Sequence, residues 1–282
     1  MTWRTRTARA LLRLTRGLDS AVCSLLLGML RPEDLKGVTL SAYEQSSEYN
    51  QDRLEETLLE PMATLAPGRR LLDLCCGTGR EAEIFARNGY QITGVDFSDR
   101  ALALAREYLR DKQLEARLIV GDFQNFTIGE QFDVIYLSPW AYTFVAGRKP
   151  RIEFLRRLAT MLSVRGVVVI SFGLASNRAW EKTRFWIGKV ASILSNGNPV
   201  LEHRDRLSGN LFIHLFVDDE AEREVAAAGF EIIHRQSDGP HFRTLILRHL
   251  NRVQSATSIL HDSAGTSAKF AGHPASPRLS IN

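Results

Sequence analysis

The chain has 282 residues, 44% of them apolar, enough for a full core, and a formal net charge of only +4. Five arginines (Arg4, Arg6, Arg9, Arg13, Arg16) and no acid fall in the first 16 residues; without those five, the 36 Lys and Arg come out one short of the 32 acids. The body therefore lacks the basic footprint of a nucleic-acid-binding protein. The three cysteines, Cys23, Cys75 and Cys76, form neither a disulfide framework nor a zinc-type pair, so no metal is expected and a reducing, cytoplasm-like compartment is the default. No apolar run reaches the ~18 residues of a membrane span.

Residues 6–30 have the spacing of an amphipathic helix. Arg6, Arg9, Arg13 and Arg16 share one face, and Leu11, Leu14, Leu18, Val22 and Leu25 line another. Three readings stay open: a helix packed as a cap on the body, a helix for a membrane surface or anionic partner, and an Arg-rich organellar presequence. They correspond to cytoplasmic, peripheral-membrane and mitochondrial placements. Asp19 and the apolar stretch to Leu30 argue against a cleaved leader. A break is expected over Pro32–Gly37, then tyrosines at 43 and 49 and a polar helix over Asp52–Thr64.

Leu71–Glu81 (LLDLCCGTGRE) reads as strand, glycine turn and helix start, the layout that brings backbone N–H groups to a ligand. Gly77-x-Gly79-x-x-Ala82 would also satisfy a dinucleotide fingerprint. Asp73 favours another ligand, because a carboxylate just before the turn adds negative charge where a pyrophosphate would sit. It suits a ligand with an ammonium and a sulfonium.

At these residues the chain resembles the class I S-adenosylmethionine (SAM)-dependent methyltransferases, whose first motif is D-x-G-x-G-x-G. Here the motif stands as Asp73-Leu-Cys75-Cys-Gly77-Thr78-Gly79. Cys75 replaces the first glycine, which suggests a less demanding backbone angle there. The resemblance implies a Rossmann-like α/β fold: a seven-stranded, mostly parallel sheet with a C-terminal antiparallel strand and helices on both faces. It implies SAM as cofactor, held by the turn residues Cys75, Gly77, Thr78 and Gly79 beside Asp73. Tyr43 would touch the cofactor or roof the acceptor pocket.

Tyr90–Val95 alternates as a second strand and meets Asp96-Phe97-Ser98. An acid at that strand end can accept both ribose hydroxyls. Phe97 would lie against the adenine, and Ser98 is placed with them while also serving, with Asp99, to cap a helix over Arg100–Asp111. A third strand, Ala116–Val120, leads to Asp122 and Phe123, where the family places an acid for the adenine amino group. Phe132–Leu137 reads as a buried fourth strand, with Leu137 at the cofactor. The loop Ser138-Pro139-Trp140-Ala141-Tyr142 lacks the N-P-P-Y pattern of relatives that methylate nucleobase or glutamine amino groups. It is expected to line a small-molecule pocket.

A helix over Ile152–Leu162 and a strand over Val167–Phe172 follow. Residues 173–210 form an aromatic insertion with Trp180, Phe185, Trp186 and His203, expected as a lid that builds acceptor specificity. Then come Leu211–Val217, a helix over Asp218–Ala228, and a final antiparallel pair at Phe230–Arg235 and Thr244–Leu247. His214, in an F-x-H-x-F pattern that recurs in small-molecule methyltransferases, and Tyr142 are the candidate catalytic bases; His203 and Tyr43 are further ones. The expected organisation is a basic helix or cap over 1–40, a methyltransferase domain over 41–250 and a flexible tail over 251–282. The expected function is methyl transfer to an O or N atom of a small molecule. The rivals are a nicotinamide-dependent oxidoreductase and a non-catalytic module that binds a partner through the basic helix; a nucleic-acid partner is disfavoured.

Overall fold

Side-chain alternation along the central strands separates two hydrophobic layers. The computed structural model describes residues 19–45, 56–175, 181–208, 211–217, 219–237, 239 and 241–250. In strands β1 (Arg70–Leu74), β4 (Phe132–Leu137) and β5 (Leu162–Gly173), Leu72, Ile135 and Val168 face one layer. Leu71, Val134 and Val167 face the other. Successive strand residues point to opposite sides, so each layer needs its own cover. Helices α6 (Arg148–Thr160) and α8 (Glu220–Ala227) cover the first through Phe154, Leu158 and Val225. Helices α3 (Leu59–Leu65), α4 (Arg80–Arg87) and α5 (Asp99–Asp111) cover the second through Met62, Phe85 and Leu109.

With β2 (Gln91–Asp96), β3 (Arg117–Val120), β8 (Phe230–Ser237) and β9 (Phe242–His249), the sheet order is β3-β2-β1-β4-β5-β9-β8. The first five strands are mutually parallel and β9 runs against both neighbours. This is the expected seven-stranded Rossmann-like sheet. The chain moves outward from β1 to β3, then returns to lay β4 beside β1. That reversal opens a crevice at the carboxyl ends of β1 and β4, where α/β sheets bind ligands.

A third, smaller apolar cluster builds a cap. Leu27 of α1 (residues 19–29) and Leu35 of α2 (Pro32–Gln45) pack with Leu201 and with Phe212 of β7 (Leu211–His214). The break expected at Pro32–Gly37 is instead the first turns of α2. Pro32 occupies the first helical position, where its missing N–H costs nothing, and the Asp34 carboxylate accepts the Arg31 N–H at 3.1 Å. The Leu211–Val217 run is strand only to His214 and pairs with β6 (Asp205–Ser208) in a separate two-stranded sheet. Among its described residues the insertion carries one long helix, α7 (Glu181–Ser195). The Asp52–Thr64 helix is a 3-10 turn over Glu56–Leu58 running into α3.

The arginines of the first 16 residues, Tyr49, Asp52, Trp180 and the 251–282 tail lie outside the described residues. Among those described, no helix is long and apolar enough to cross a membrane.

Candidate functional site

Strand β1 delivers Asp73 to the crevice in a fully buried state. Neither of its oxygens accepts a well-formed hydrogen bond among the described residues. Burial lifts its carboxyl well above the usual range, the Glu81 and Asp96 carboxylates push the same way, and the nearby Ser138 hydroxyl offsets part of it. A buried carboxylate without a donor is costly unless a cation arrives to pair with it.

The turn after β1 is built from left-handed residues: Cys75 at φ 63°, Gly77 at 53° and Gly79 at 82°. The relaxed angle expected at Cys75 is therefore corrected. The position keeps the left-handed requirement, and the cysteine bears a strain of about 1–2 kcal/mol that glycine would not. Two amides of the turn, Cys75 and Cys76, donate to the Val95 carbonyl at 2.8 and 3.2 Å, fixing it against β2.

Asp96 at the end of β2 holds the turn from the other side. Its Oδ2 accepts the Gly77 N–H and its Oδ1 the Ser98 N–H, each at 3.0 Å. Every carboxylate oxygen retains a second lone pair, so a diol could still be gripped. Burial raises the Asp96 carboxyl, and the Ser98 and Gly77 amides oppose that rise. Ser98 does not face the cleft: it is fully buried and its Oγ accepts the Ala101 N–H at 3.2 Å as the cap of α5. Asp122, just past β3, ion-pairs with Lys36 of α2 and accepts the Asn125 side-chain amide at 2.7 Å. The Cys75 thiol is pushed well up by burial, and the Asp96, Asp73 and Asp122 carboxylates push the same way.

Beside the turn, at the carboxyl ends of β1, β2 and β4, lies a largely apolar cleft. Its floor includes Cys75, Asp96, Phe97 and Phe123, and α2 roofs it with Lys36, Thr39, Leu40 and Tyr43. Tyr43 and Phe97 meet with ring centroids 5.5 Å apart. Ser138, Pro139, Phe144 and Leu211 complete the wall. Leu137 is buried beneath Ser138, Thr78 is half-buried in the turn, and Trp140 packs on Phe242 at 5.2 Å, outside the lining.

The two candidate bases stand elsewhere. Tyr142 is fully buried, stacks on Phe216 at 5.3 Å and donates its hydroxyl to Glu224 Oε2 at 2.8 Å. Burial first, then the Glu224 anion, raise its hydroxyl well above the usual value. His214 is also fully buried, with Nδ1 2.8 Å from Asp205 Oδ1 and Nε2 3.4 Å from Glu220 Oε1. Burial lowers its basicity, but the bonds to Asp205 and Glu220 outweigh that and raise it. Neither side chain is among those lining the cleft; both belong to a buried hydrogen-bonded network.

The centre of that network is Arg151, whose guanidinium is forked on Glu224 at 2.9 and 2.6 Å and reaches Glu202 at 2.8 Å. Nothing in the local pattern singles Arg151 out, because it follows Arg148, Lys149 and Pro150 at the start of α6. Glu202, Asp205 and His214 also converge as metal ligands do. The Arg151 cation already stands against Glu202 and supplies the positive charge there.

Residues 71–166 match the family described as a methyltransferase domain. Among curated proteins, the chain is 31% identical to a cypemycin N-terminal methyltransferase from a Streptomyces species over 36% of this chain and 41% of that one. It is 27% identical to the magnesium-protoporphyrin O-methyltransferase of Rhodobacter capsulatus, over 57% and 69% of the two chains. The first of these matches thus spans less than half of the relative's length. Among solved structures, a SAM-dependent methyltransferase from Methanosarcina mazei shares the fold at a TM-score of 0.54 and 19% identity, covering 71% of this chain and 99% of that one.

Proposed function

We propose that the protein, whose residues 71–166 match a methyltransferase domain, is a SAM-dependent methyltransferase acting on an O or N atom of a small, largely apolar acceptor. The observation that carries the reading is Asp73. A fully buried carboxylate, unpartnered among the described residues beside a left-handed turn, is complementary to an ammonium group. Asp73 would hold that end of the cofactor, Asp96 its ribose, and Asp122 with Phe97 and Phe123 its adenine. When bound, SAM supplies a methyl group already activated on a sulfonium.

The chain's own residues then contribute orientation and dryness. The roof of α2 and the wall of Pro139, Phe144 and Leu211 exclude water and hold the acceptor's apolar body. Holding reactants in place is worth ~7–11 kcal/mol of barrier. Among the described residues, no histidine lines the cleft, and its ionisable groups are Lys36, Tyr43, Cys75 and Asp96. That favours an acceptor whose nucleophile needs no strong base, such as a carboxylate or a neutral amine. The names of the relatives span both atom types, one an N-terminal and one an O-methyltransferase. The free cysteines fit a reducing, cytoplasm-like setting.

The test is turnover of SAM to S-adenosylhomocysteine with matched aryl carboxylates, amines and phenols. Turnover with carboxylates or amines supports the reading. Binding of NADH without SAM would replace it with an oxidoreductase, and strict preference for phenols would overturn the acceptor class.

A further inference from the structure

The loop after β4 and the end of β5 each break a local rule, at the same point in space. The Ser138 carbonyl accepts the Ala141 N–H at 3.0 Å, closing a β-turn with Pro139 and Trp140 at its centre. Trp140 stands at φ 70° and ψ −18°, the second central position of a type II turn, which is glycine's slot. A bulky side chain there is strained and persists only where its surroundings hold it. Its carbonyl accepts the Thr143 N–H at 2.8 Å and the Thr143 hydroxyl at 2.6 Å, which fixes the turn against the 3-10 turn Ala141–Phe144. The opposite fault lies in β5, whose last residue, Gly173, pairs with Phe242 at the start of β9. A glycine weakens a strand unless something must approach it closely. A Cβ on Gly173 would lie 2.4 Å from Trp140 Cζ3 and 2.9 Å from Cη2, so the indole fills the space that the glycine leaves. Phe242 meets the same ring at 5.2 Å. The two irregularities therefore serve one end, the seating of this indole.

We propose that Trp140 determines specificity by limiting the length of the acceptor, a proposal that rests on the methyl-transfer reading above. Placement carries it. Asp96 and Asp122, assigned to the adenosine, stand at the ends of β2 and β3, on one side of β1. The Trp140 ring stands over the ends of β5 and β9, on the other side. Its chain neighbours Ser138, Pro139 and Ala141 line the cleft, while its own ring leaves the lining and packs on Gly173. The acceptor, approaching from the β4 side of the cofactor, has this turn as its far boundary. A compact acceptor fits between Pro139, Phe144 and Leu211. One with a long apolar tail has to displace the indole.

The test uses the full-length protein with aryl carboxylates and aryl amines carrying para alkyl chains from methyl to hexyl, with kcat and KM measured for each. Wild-type kcat/KM should fall as the chain lengthens. Trp140→Gly suits the turn and vacates the ring's space, so long-chain acceptors should gain at least about tenfold over short ones, chiefly through KM. Trp140→Phe refills part of that space and should return the preference toward the wild type. Gly173→Ala unseats the ring from the opposite side and should shift the preference as Trp140→Gly does. SAM affinity, read by calorimetry, should be unchanged throughout. An unchanged ranking of chain lengths in Trp140→Gly, or an equal loss across the series, would overturn the proposal. So would SAM binding by the wild type without turnover of any member. Failure of the wild type to bind SAM would instead overturn the methyl-transfer reading itself.

Discussion

Lys36, on the helix that roofs the cleft, is ion-paired with Asp122 at the end of β3. The pair ties the roof to the end of β3 and places a positive charge in a cleft whose lining also holds the Asp96 carboxylate. Both side chains are partly exposed, so the pair is worth about 0–1 kcal/mol of stability. Lys36→Met should leave unfolding almost unchanged. It should tighten SAM relative to uncharged S-adenosylhomocysteine by roughly twofold to fivefold at low salt, fading as salt rises. Calorimetry with both ligands checks this; equal weakening of the two would show that Lys36 positions ligand rather than opposing its charge.

Cys75 holds a left-handed angle without being glycine. Cys75→Gly relieves about 1–2 kcal/mol of strain and returns about 0.5–1 in unfolded-state entropy, for a net gain of about 0.5–1 kcal/mol. Cys75→Val should lose at least as much. Urea midpoints of the three proteins test it, and a destabilised glycine variant would contradict it.

Tyr142 and Glu224 distinguish structure from catalysis. Tyr142→Phe removes the donor to a buried carboxylate and should cost about 1–3 kcal/mol. Turnover at a temperature where it stays folded should change by only a few-fold. Glu224→Ala strands Arg151 without its forked partner and should cost about 3–5 kcal/mol. A Tyr142→Phe protein of undiminished stability and lost turnover would restore the base role.

Legibility in the sequence divided along chemical lines. β4 was readable to the residue, because a parallel strand buried on both faces is a plain apolar run. The turn and the acids at 73, 96 and 122 were readable as residue types, because strand, glycine and carboxylate recur at fixed offsets. The bases were not. His214 and Tyr142 stand in runs that look alike whether their polar ends meet a ligand or meet Asp205 and Glu224, and those partners lie 9 and 82 residues away. α2 was missed because proline marks both a break and a first helical turn. Lys36 could have been found only by knowing that this helix folds over β3.

The same network sets a pH response. His214 faces Asp205 on β6, Glu220 on α8 and Glu202, with Arg151 of α6 behind them. A raised histidine contributes stability that is fully present below its unfolded value of about 6.5 and is lost as pH climbs through its higher folded value. Burial raises the Glu220 carboxyl, but the His214 bond and charge outweigh that and lower it. Its contribution is present above about pH 4.3, the unfolded glutamate value, and is lost as pH falls through its lower folded value. Stability should therefore be greatest between these limits and decline above about pH 6.5. His214→Gln should flatten the upper decline. Urea unfolding across pH reads it, and an unchanged slope in the variant would assign the decline to other groups.

The most direct measurement is calorimetric titration of SAM into the wild type and Asp73→Asn, paired with urea unfolding of both ligand-free proteins. An isosteric amide removes a buried carboxylate repelled by Glu81 and Asp96. The ligand-free variant should be as stable as the wild type or more so, while SAM affinity falls at least about tenfold, the worth of a charge-assisted pair. Undiminished SAM affinity in that stable variant would contradict the assignment of Asp73 as the anchor of a cationic cofactor.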